Sequence, residues 1–379
     1  MERPVRVLLL IKGLSLGGAE RLLSLMSERR DRDSFRYEAA YVLPWKDGLV
    51  EQFEADGIPV HCLHGGREWD LRWVSRLRRL VRERGYDVVH VHSPYVAGFA
   101  RLALKALPRG ARPRIVYTEH LPWWGYRRPT RVLNRLTYRL NDATVAVSRT
   151  VRASVHPRLR EHVEVVIHGV SPERIREHRS RRSEVRRELG VSPDELLVGT
   201  VAHLTEQKGY PVLLEAARRV LDQGVPVRFM AVGRGPEEAE IRGLHERLAL
   251  GEWFRLMGFR PDAVRLMSAF DVFVLASWYE GLPVTVMEAL TLGVPVVATG
   301  VGGTPEMITP GVEGLLVPPG RPDELAAAIV SLAGAPDLRR TMSEAAVRRA
   351  SAFDIEAATR RVEAIYGSVV TSPREMSIS

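Results

Sequence analysis

Asp271-Val-Phe-Val-Leu275, Ala276-Ser-Trp-Tyr-Glu280-Gly-Leu-Pro283-Val-Thr-Val-Met-Glu288-Ala-Leu290 and Val294-Pro-Val-Val-Ala298 follow one another in the chain. The two outer runs are apolar, β-branched and five residues long, the signature of buried strands. Between them a Gly-Leu-Pro turn opens a helical stretch, so the segment reads as a βαβ unit and implies a parallel sheet covered on both faces.

The same rhythm extends in both directions. Upstream, the candidate strands are Val5–Ile11, Tyr37–Leu43, Val60–Leu63, Asp87–His92, Arg114–Thr118, Ala143–Val147 and Val163–Ile167, separated by helical patterns such as Ala19–Arg29, Leu71–Arg84, Val96–Leu107 and Arg128–Asn141. Residues 171–194 are charged and almost free of strand signal. A second series then follows: Leu196–Ala202, Val227–Val232, Phe254–Met257, Asp271–Leu275, Val294–Ala298 and Gly314–Val317. With 379 residues and roughly 150 per domain, the expectation is an α/β protein of two doubly wound domains facing across a cleft. A linker is expected near residues 170–182. Ligands of open parallel sheets bind beyond the carboxyl ends of the strands.

Composition narrows the class. Cys62 is the single cysteine, which excludes an internal disulfide and a cysteine-clustered metal site. Apolar runs such as Val7–Ile11 and Val272–Ala276 fall far short of the roughly 18 residues of a membrane span, and no signal-peptide core is visible. A cytoplasmic protein is expected. Positions 1–180 hold 33 basic against 20 acidic residues, and the remainder 22 against 26. Such a basic half invites anionic partners. Yet 51 of the 55 cations are arginine, an excess that fits codon bias, and nucleic acid is not the expected partner. The lysines are Lys12, Lys46, Lys105 and Lys208. Lys208 therefore stands out, because a compact ammonium does what a planar guanidinium does not.

Several strand ends carry residues suited to an anionic, hydroxyl-rich ligand. Gly13-Leu-Ser-Leu-Gly17-Gly18-Ala19-Glu20 joins the first strand to a helix, where glycines admit close backbone approach and a helix N-terminus offers free N–H groups. It equally fits an ordinary glycine turn, and it is not the dinucleotide fingerprint. Glu280 precedes a helix for which Pro283 is the expected first residue, and Glu288 lies inside it. Carboxylates accept hydrogen bonds from hydroxyls, while the amides near Leu282 and Val284 suit a phosphate. Lys208, in Thr205-Glu206-Gln207-Lys208-Gly209, is placed to neutralise a departing pyrophosphate. Gly233-Arg234-Gly235 and the 300–306 loop close neighbouring strands. His90, His92 and His120 end two strands of the first domain, and of these His120 is the candidate for function. Asp31–Asp33 belongs to a helix end, and no metal site is expected.

Arg128–Asn141 aligns Arg128, Arg131, Arg135 and Arg139 beside Val132, Leu133, Leu136 and Leu140, after Trp123 and Trp124. This fits an interfacial helix on an anionic membrane, although such a pattern more often marks a helix docked on its own sheet. Trp45, Trp69, Trp73, Trp123 and Trp124 all lie in the basic half, as an aromatic-lined acceptor pocket would require.

Taken together, the Gly17-Gly18-Ala19-Glu20, Gln207-Lys208-Gly209 and Gly311–Gly320 loops, with the Glu280–Glu288 pair, resemble family 4 of the nucleotide-sugar-dependent glycosyltransferases over nearly the whole chain. The resemblance implies the GT-B fold: an acceptor-binding domain at residues 1–175, a donor-binding domain at 176–353, and at 354–379 a helix returning to the first domain plus a tail. It implies transfer with retention of anomeric configuration, a nucleotide-diphosphate sugar as co-substrate with no further cofactor, and a small-molecule, glycan or lipid-linked acceptor. Catalytic roles would fall to Glu280, His120 and Lys208. Donor contacts would come from Gly17, Gly18, His203, Lys208, Gly233, Gly258, Phe259, Glu280, Gly281, Leu282, Pro283, Val284, Thr285 and Glu288. His203 stands where the family commonly carries arginine, so that either diphosphate neutralisation is weaker here or another group such as Arg234 replaces it, and His168 stands where asparagine is usual. A sugar-nucleotide epimerase or phosphorylase, or a basic membrane-surface protein, are the alternative readings.

Overall fold

The structure, a computed structural model, describes residues 3–15, 17–66, 70–192 and 194–372. Trp69 and the end of the expected tail, 373–379, lie outside the described residues. The chain forms two compact units, one made of residues 1–169 and 355–379, the other of 170–354.

The first unit holds a seven-stranded sheet built from β1 (Val5–Ile11), β2 (Phe35–Tyr41), β3 (Val60–Cys62), β4 (Val88–Val91), β5 (Arg114–Glu119), β6 (Ala143–Ala146) and β7 (Val163–Val165), in the order β3-β2-β1-β4-β5-β6-β7. Every pairing is parallel. Val7, Leu9, Val88, Val116 and Val145 pack into one core with Leu23, Met26 and the last helix, Ile355–Thr371. That helix is fastened by Glu363, which accepts from the Tyr37 hydroxyl at 3.1 Å and from the Asp31 amide at 3.1 Å.

The second unit holds a six-stranded sheet: β8 (Leu196–Val201), β9 (Val227–Val232), β10 (Phe254–Leu256), β11 (Val272–Leu275), β12 (Val296–Thr299) and β13 (Gly314–Val317), ordered β10-β9-β8-β11-β12-β13 and again wholly parallel. In each sheet the strand order reverses once, between β1 and β4 and between β8 and β11. A doubly wound sheet opens a crevice at that reversal, at the carboxyl ends of the two strands.

Two expectations are corrected. The charged stretch after Val170 is no open linker: it folds as helix Pro172–Arg176, a 3-10 segment and helix Arg182–Glu188, so residue 175 falls inside a helix. Two of its arginines are bound to the loop before β11. Arg182 and Arg186 both pair with Asp271 (2.5 and 2.9 Å), and Arg186 also donates to the carbonyls of Ala269, Ser192 and Glu195. The helical pattern Arg128–Asn141 also breaks early, into helix Arg128–Thr137 and a 3-10 turn at Tyr138–Leu140.

Candidate functional site

The reversal point of the second sheet is where the sequence candidates gather. The loop after β8 carries Lys208 and the loop after β11 carries Glu280. Lys208 Nζ donates to Glu280 Oε1 at 2.6 Å, and the Ser277 hydroxyl donates to the same oxygen at 2.6 Å. Glu280 is 4% exposed and Lys208 half-buried. The loops are stitched by their main chains as well: the Trp278 amide donates to the Gln207 carbonyl at 2.8 Å, and Gln207 Nε2 to the Tyr279 carbonyl at 2.9 Å. Ser277 held no assigned role in the sequence reading, although its spacing of three from Glu280 was the signal for the contact.

Two glycines fix this pair from either side. Gly209 adopts a left-handed φ of +61°, and a Cβ there would lie 2.2 Å from the Ala276 carbonyl oxygen. Gly302 (φ +56°) lies against Glu280 itself, where a Cβ would meet its carbonyl oxygen at 1.9 Å. Beyond φ, then, close backbone approach demands glycine at both positions. Helix Val284–Leu292 starts directly after, with Leu282 and Val284 buried. Pro283 is its N-cap in extended conformation, not its first residue as expected, because the turn through Gly281 is still completing there: Gly281 accepts from the Gly303 amide at 2.8 Å. The first-turn amides of this helix, Val284 and Thr285 among them, have no carbonyl partner inside the helix. Glu288 is buried on the second turn.

A second group occupies the ends of β8, β9 and β10. His203, exposed, donates from Nδ1 to the Arg234 carbonyl at 3.1 Å. The Arg234 guanidinium covers the Phe259 ring at 4.8 Å, and the Gly233 amide donates to the Gly258 carbonyl at 2.8 Å. The cation–π pairing of Arg234 with Phe259 was not legible beforehand.

Gly17, Gly18 and His120 belong to the first unit. Gly17 is the N-cap of helix Gly18–Glu28, after the reversal-point strand β1. Leu16 lies outside the described residues. His120 follows β5 within a histidine cluster: its Nε2 lies 3.0 Å from His92 Nδ1, His90 and His92 rings are 3.9 Å apart, and the His168 ring stacks on His120 with centroids 6.2 Å apart. Burial drives His120 down to about 3, with the His168 ring adding to it, and His168 down to about 4. Burial, then the neighbouring imidazoles, hold His90 and His92 well below the usual range. All four are neutral imidazoles at pH 7, suited to exchanging hydrogen bonds with hydroxyls. Among the described residues no group of histidine, cysteine and acidic side chains could hold a metal ion.

The expected tryptophan pocket is not formed as a group. Trp73 is in the core against Phe99, Trp123 is buried, and Trp45 and Trp124 are exposed. The indoles are divided by their helical phase: Trp73 falls on the inner face of its helix, in step with Leu77 and Val81.

Two successive doubly wound parallel sheets, the second with a lysine–glutamate pair and a helix N-terminus at its reversal point, define a glycosyltransferase of the GT-B class. The family model "Glycosyltransferase Family 4" matches residues 16–174 and "Glycosyl transferases group 1" matches 181–349. The chain belongs to glycosyltransferase family 4. It is 28% identical over 350 residues to the alpha-D-kanosaminyltransferase of Streptomyces kanamyceticus, covering 86% of this chain and 87% of that one. It is 24% identical over 288 residues to the UDP-Gal:alpha-D-GlcNAc-diphosphoundecaprenol alpha-1,3-galactosyltransferase of Escherichia coli, covering 72% and 73%. Among solved structures, Anabaena HepE in complex with UDP-glucose superposes with a TM-score of 0.84 at 25% identity, covering 96% of this chain and 99% of that one.

Proposed function

We propose that this glycosyltransferase moves a hexosyl group from a uridine diphosphate sugar to an acceptor hydroxyl, with retention of anomeric configuration. The observation that carries the reading is the Lys208–Glu280 pair at the mouth of helix Val284–Leu292. The bond from the anomeric carbon to the diphosphate breaks, and the departing charge is met by Lys208 and by the amides of Val284 and Thr285. The acceptor oxygen bonds to the same face of that carbon, and its proton passes to the leaving phosphate. Glu280 holds donor hydroxyls, Glu288 the ribose hydroxyls, and the Phe259–Arg234 stack with the Gly258 backbone meets the base. His203 and Gly233 border the diphosphate. The preference for uridine rests on the likeness to HepE, whose complex contains UDP-glucose.

On this reading the first unit serves the acceptor through the neutral His120 at the end of β5. Neither a metal nor a further cofactor is needed, because protein groups supply the positive charge. The acceptor is a glycan or lipid-linked hydroxyl, met in the cytoplasm by peripheral contact with an anionic membrane, as the undecaprenol-linked acceptor named for the E. coli relative supports.

Labelled UDP-sugars incubated with and without acceptor extracts, in the presence of EDTA, test the reading. Acceptor-dependent UDP release and an α product from an α donor are expected. Conversion of the donor sugar with no acceptor present would establish an epimerase instead, and an inverted product would overturn retention.

A further inference from the structure

Helix Arg128–Thr137 has two faces of different character. Inward, Leu133 fills the space left by Gly98, where a Cβ would stand 2.4 Å from Leu133 Cγ. Asn134 and Thr137 take hydrogen bonds from the buried Arg101 guanidinium at 2.8 and 3.0 Å. Outward, Arg128, Val132, Arg135 and Arg139 follow one another at spacings of three and four, Leu136 lies next to Arg135, and all five are exposed. Leu136 is 77% exposed and Val132 55%, with Trp124 at 54% just upstream.

Charge on this face is one-sided. Residues 120–141 contain five arginines and no acidic residue, and between 88 and 141 the sole acid is Glu119, which is fully buried. Among the described residues Arg128, Arg131 and Arg139 form no ion pair, and Arg135 meets only His156, at 3.2 Å. His156 stays neutral, lowered by desolvation and then by Arg135, Arg158 and Arg160. Aliphatic side chains exposed between unpaired guanidiniums satisfy neither a core nor a surface ion-pair network.

We infer that the outer face of helix Arg128–Thr137, with Trp124 and Arg139, docks on an anionic lipid bilayer. This deepens, and rests on, the membrane-contact reading above. Val132, Leu136 and Trp124 enter the boundary between headgroups and acyl chains, while the arginines bind lipid phosphates. Tryptophan favours that depth. A nucleic acid fits less well, because single strands are held by rows of stacking aromatics, whereas the apolar members here are mainly aliphatic.

The docking face is wired to the strand end that carries His120. Glu119, its chain neighbour, accepts from Trp123 Nε1 at 2.8 Å, the Tyr126 hydroxyl at 2.7 Å and Asn134 Nδ2 at 2.8 Å. Those three donors come from the turn bearing Trp124, the following loop and the inner side of the helix. A lipid-linked acceptor would thus be met beside the surface that anchors the protein.

Sedimentation with vesicles of phosphatidylglycerol and phosphatidylcholine at low salt tests the inference. Wild-type protein should pellet with them and remain in solution with phosphatidylcholine alone. Each of Arg128→Gln, Arg135→Gln and Arg139→Gln should weaken binding about fivefold, and Leu136→Glu about tenfold or more, with unchanged circular dichroism and unchanged transfer to a soluble acceptor. Absence of anionic-vesicle binding would overturn membrane contact altogether. Wild-type binding by Leu136→Glu would overturn the assignment to this helix alone, as would equal, Leu136-independent binding to a single-stranded oligonucleotide. Failure of transfer to any soluble acceptor by a wild type that still binds vesicles would instead remove the donor chemistry and leave the docking face standing.

Discussion

Lys208 and Glu280 lie 72 positions apart in the chain and meet at 2.6 Å, at the point where the second sheet reverses its strand order. The carboxylate is almost fully enclosed and shares one oxygen between the ammonium and the Ser277 hydroxyl. The contact ties the lysine to the loop that opens helix Val284–Leu292. Lys208→Ala is expected to lower kcat at least about 100-fold, and to destabilise the second unit by about 2–3 kcal/mol because the Glu280 charge loses its partner. Glu280→Gln should cost similar activity and less stability, since a neutral amide needs no counter-charge. Turnover and urea midpoints measured side by side separate the two effects; near-wild-type turnover in either variant would overturn the site.

Gly302 sets the backbone beneath Glu280, and its replacement tests whether loop position matters apart from charge. In Gly302→Ala a methyl group must be accommodated 1.9 Å from the Glu280 carbonyl oxygen, at a φ of +56°. Backbone has to move, so a loss of about 1–3 kcal/mol and a large fall in kcat are expected together. Gly224→Ala is the control: its φ is +71° with open space around it, so only conformational strain, about 1 kcal/mol, should appear, with kcat intact. Equal kcat in the two variants would show that Glu280 is not held from this side.

The strands were legible because a parallel sheet buried on both faces writes itself as unbroken apolar runs, and Val272–Leu275 or Val296–Thr299 admit little else. Lys208 and Glu280 were legible for a different reason: each stands in a glycine-bearing loop directly after a strand. What the chain hides is pairing between side chains distant in sequence. That Arg182 and Arg186 would bury themselves on Asp271, turning an apparent linker into helices of the second unit, depends on carbonyls supplied by Ser268, Ala269 and Phe270. The Arg234–Phe259 stack is hidden likewise, and the inner position of Trp73 became visible only once its helix had a phase.

His203 offers a gain-of-function test. It occupies a position where the family resemblance leads one to expect arginine, and its imidazole is exposed and tied to the Arg234 carbonyl. His203→Arg adds a permanent charge and several donors beside the proposed diphosphate position. UDP should then bind several-fold tighter, seen as a larger ligand-induced rise in Tm that shrinks with added salt. No change in UDP binding would place the diphosphate elsewhere.

The histidine cluster of the first unit makes a prediction about acid. His120 and His168 titrate at about 3 and about 4 in the folded protein, against about 6.5 when unfolded, and His90 and His92 are likewise displaced downward by burial. Below pH 6.5 the unfolded chain therefore binds more protons than the folded one. The stabilisation is complete above about pH 6.5 and is lost as pH falls through that value toward 3–4, at up to about 1.4 kcal/mol per pH unit for each histidine. His90 is further held by the Tyr366 hydroxyl at 2.5 Å and Thr118 at 2.7 Å, so its protonation would also loosen the C-terminal helix. His168, whose ring nitrogens have no hydrogen-bond partner among the described residues, is the member that can be exchanged with least disturbance. His168→Asn should flatten the stability profile between pH 6.5 and 5 by one histidine's share while leaving the plateau above pH 7 within about 1 kcal/mol. Urea midpoints across pH 4.5–8 decide it: a wild-type profile flat over that range would mean that these imidazoles take up protons freely in the folded state.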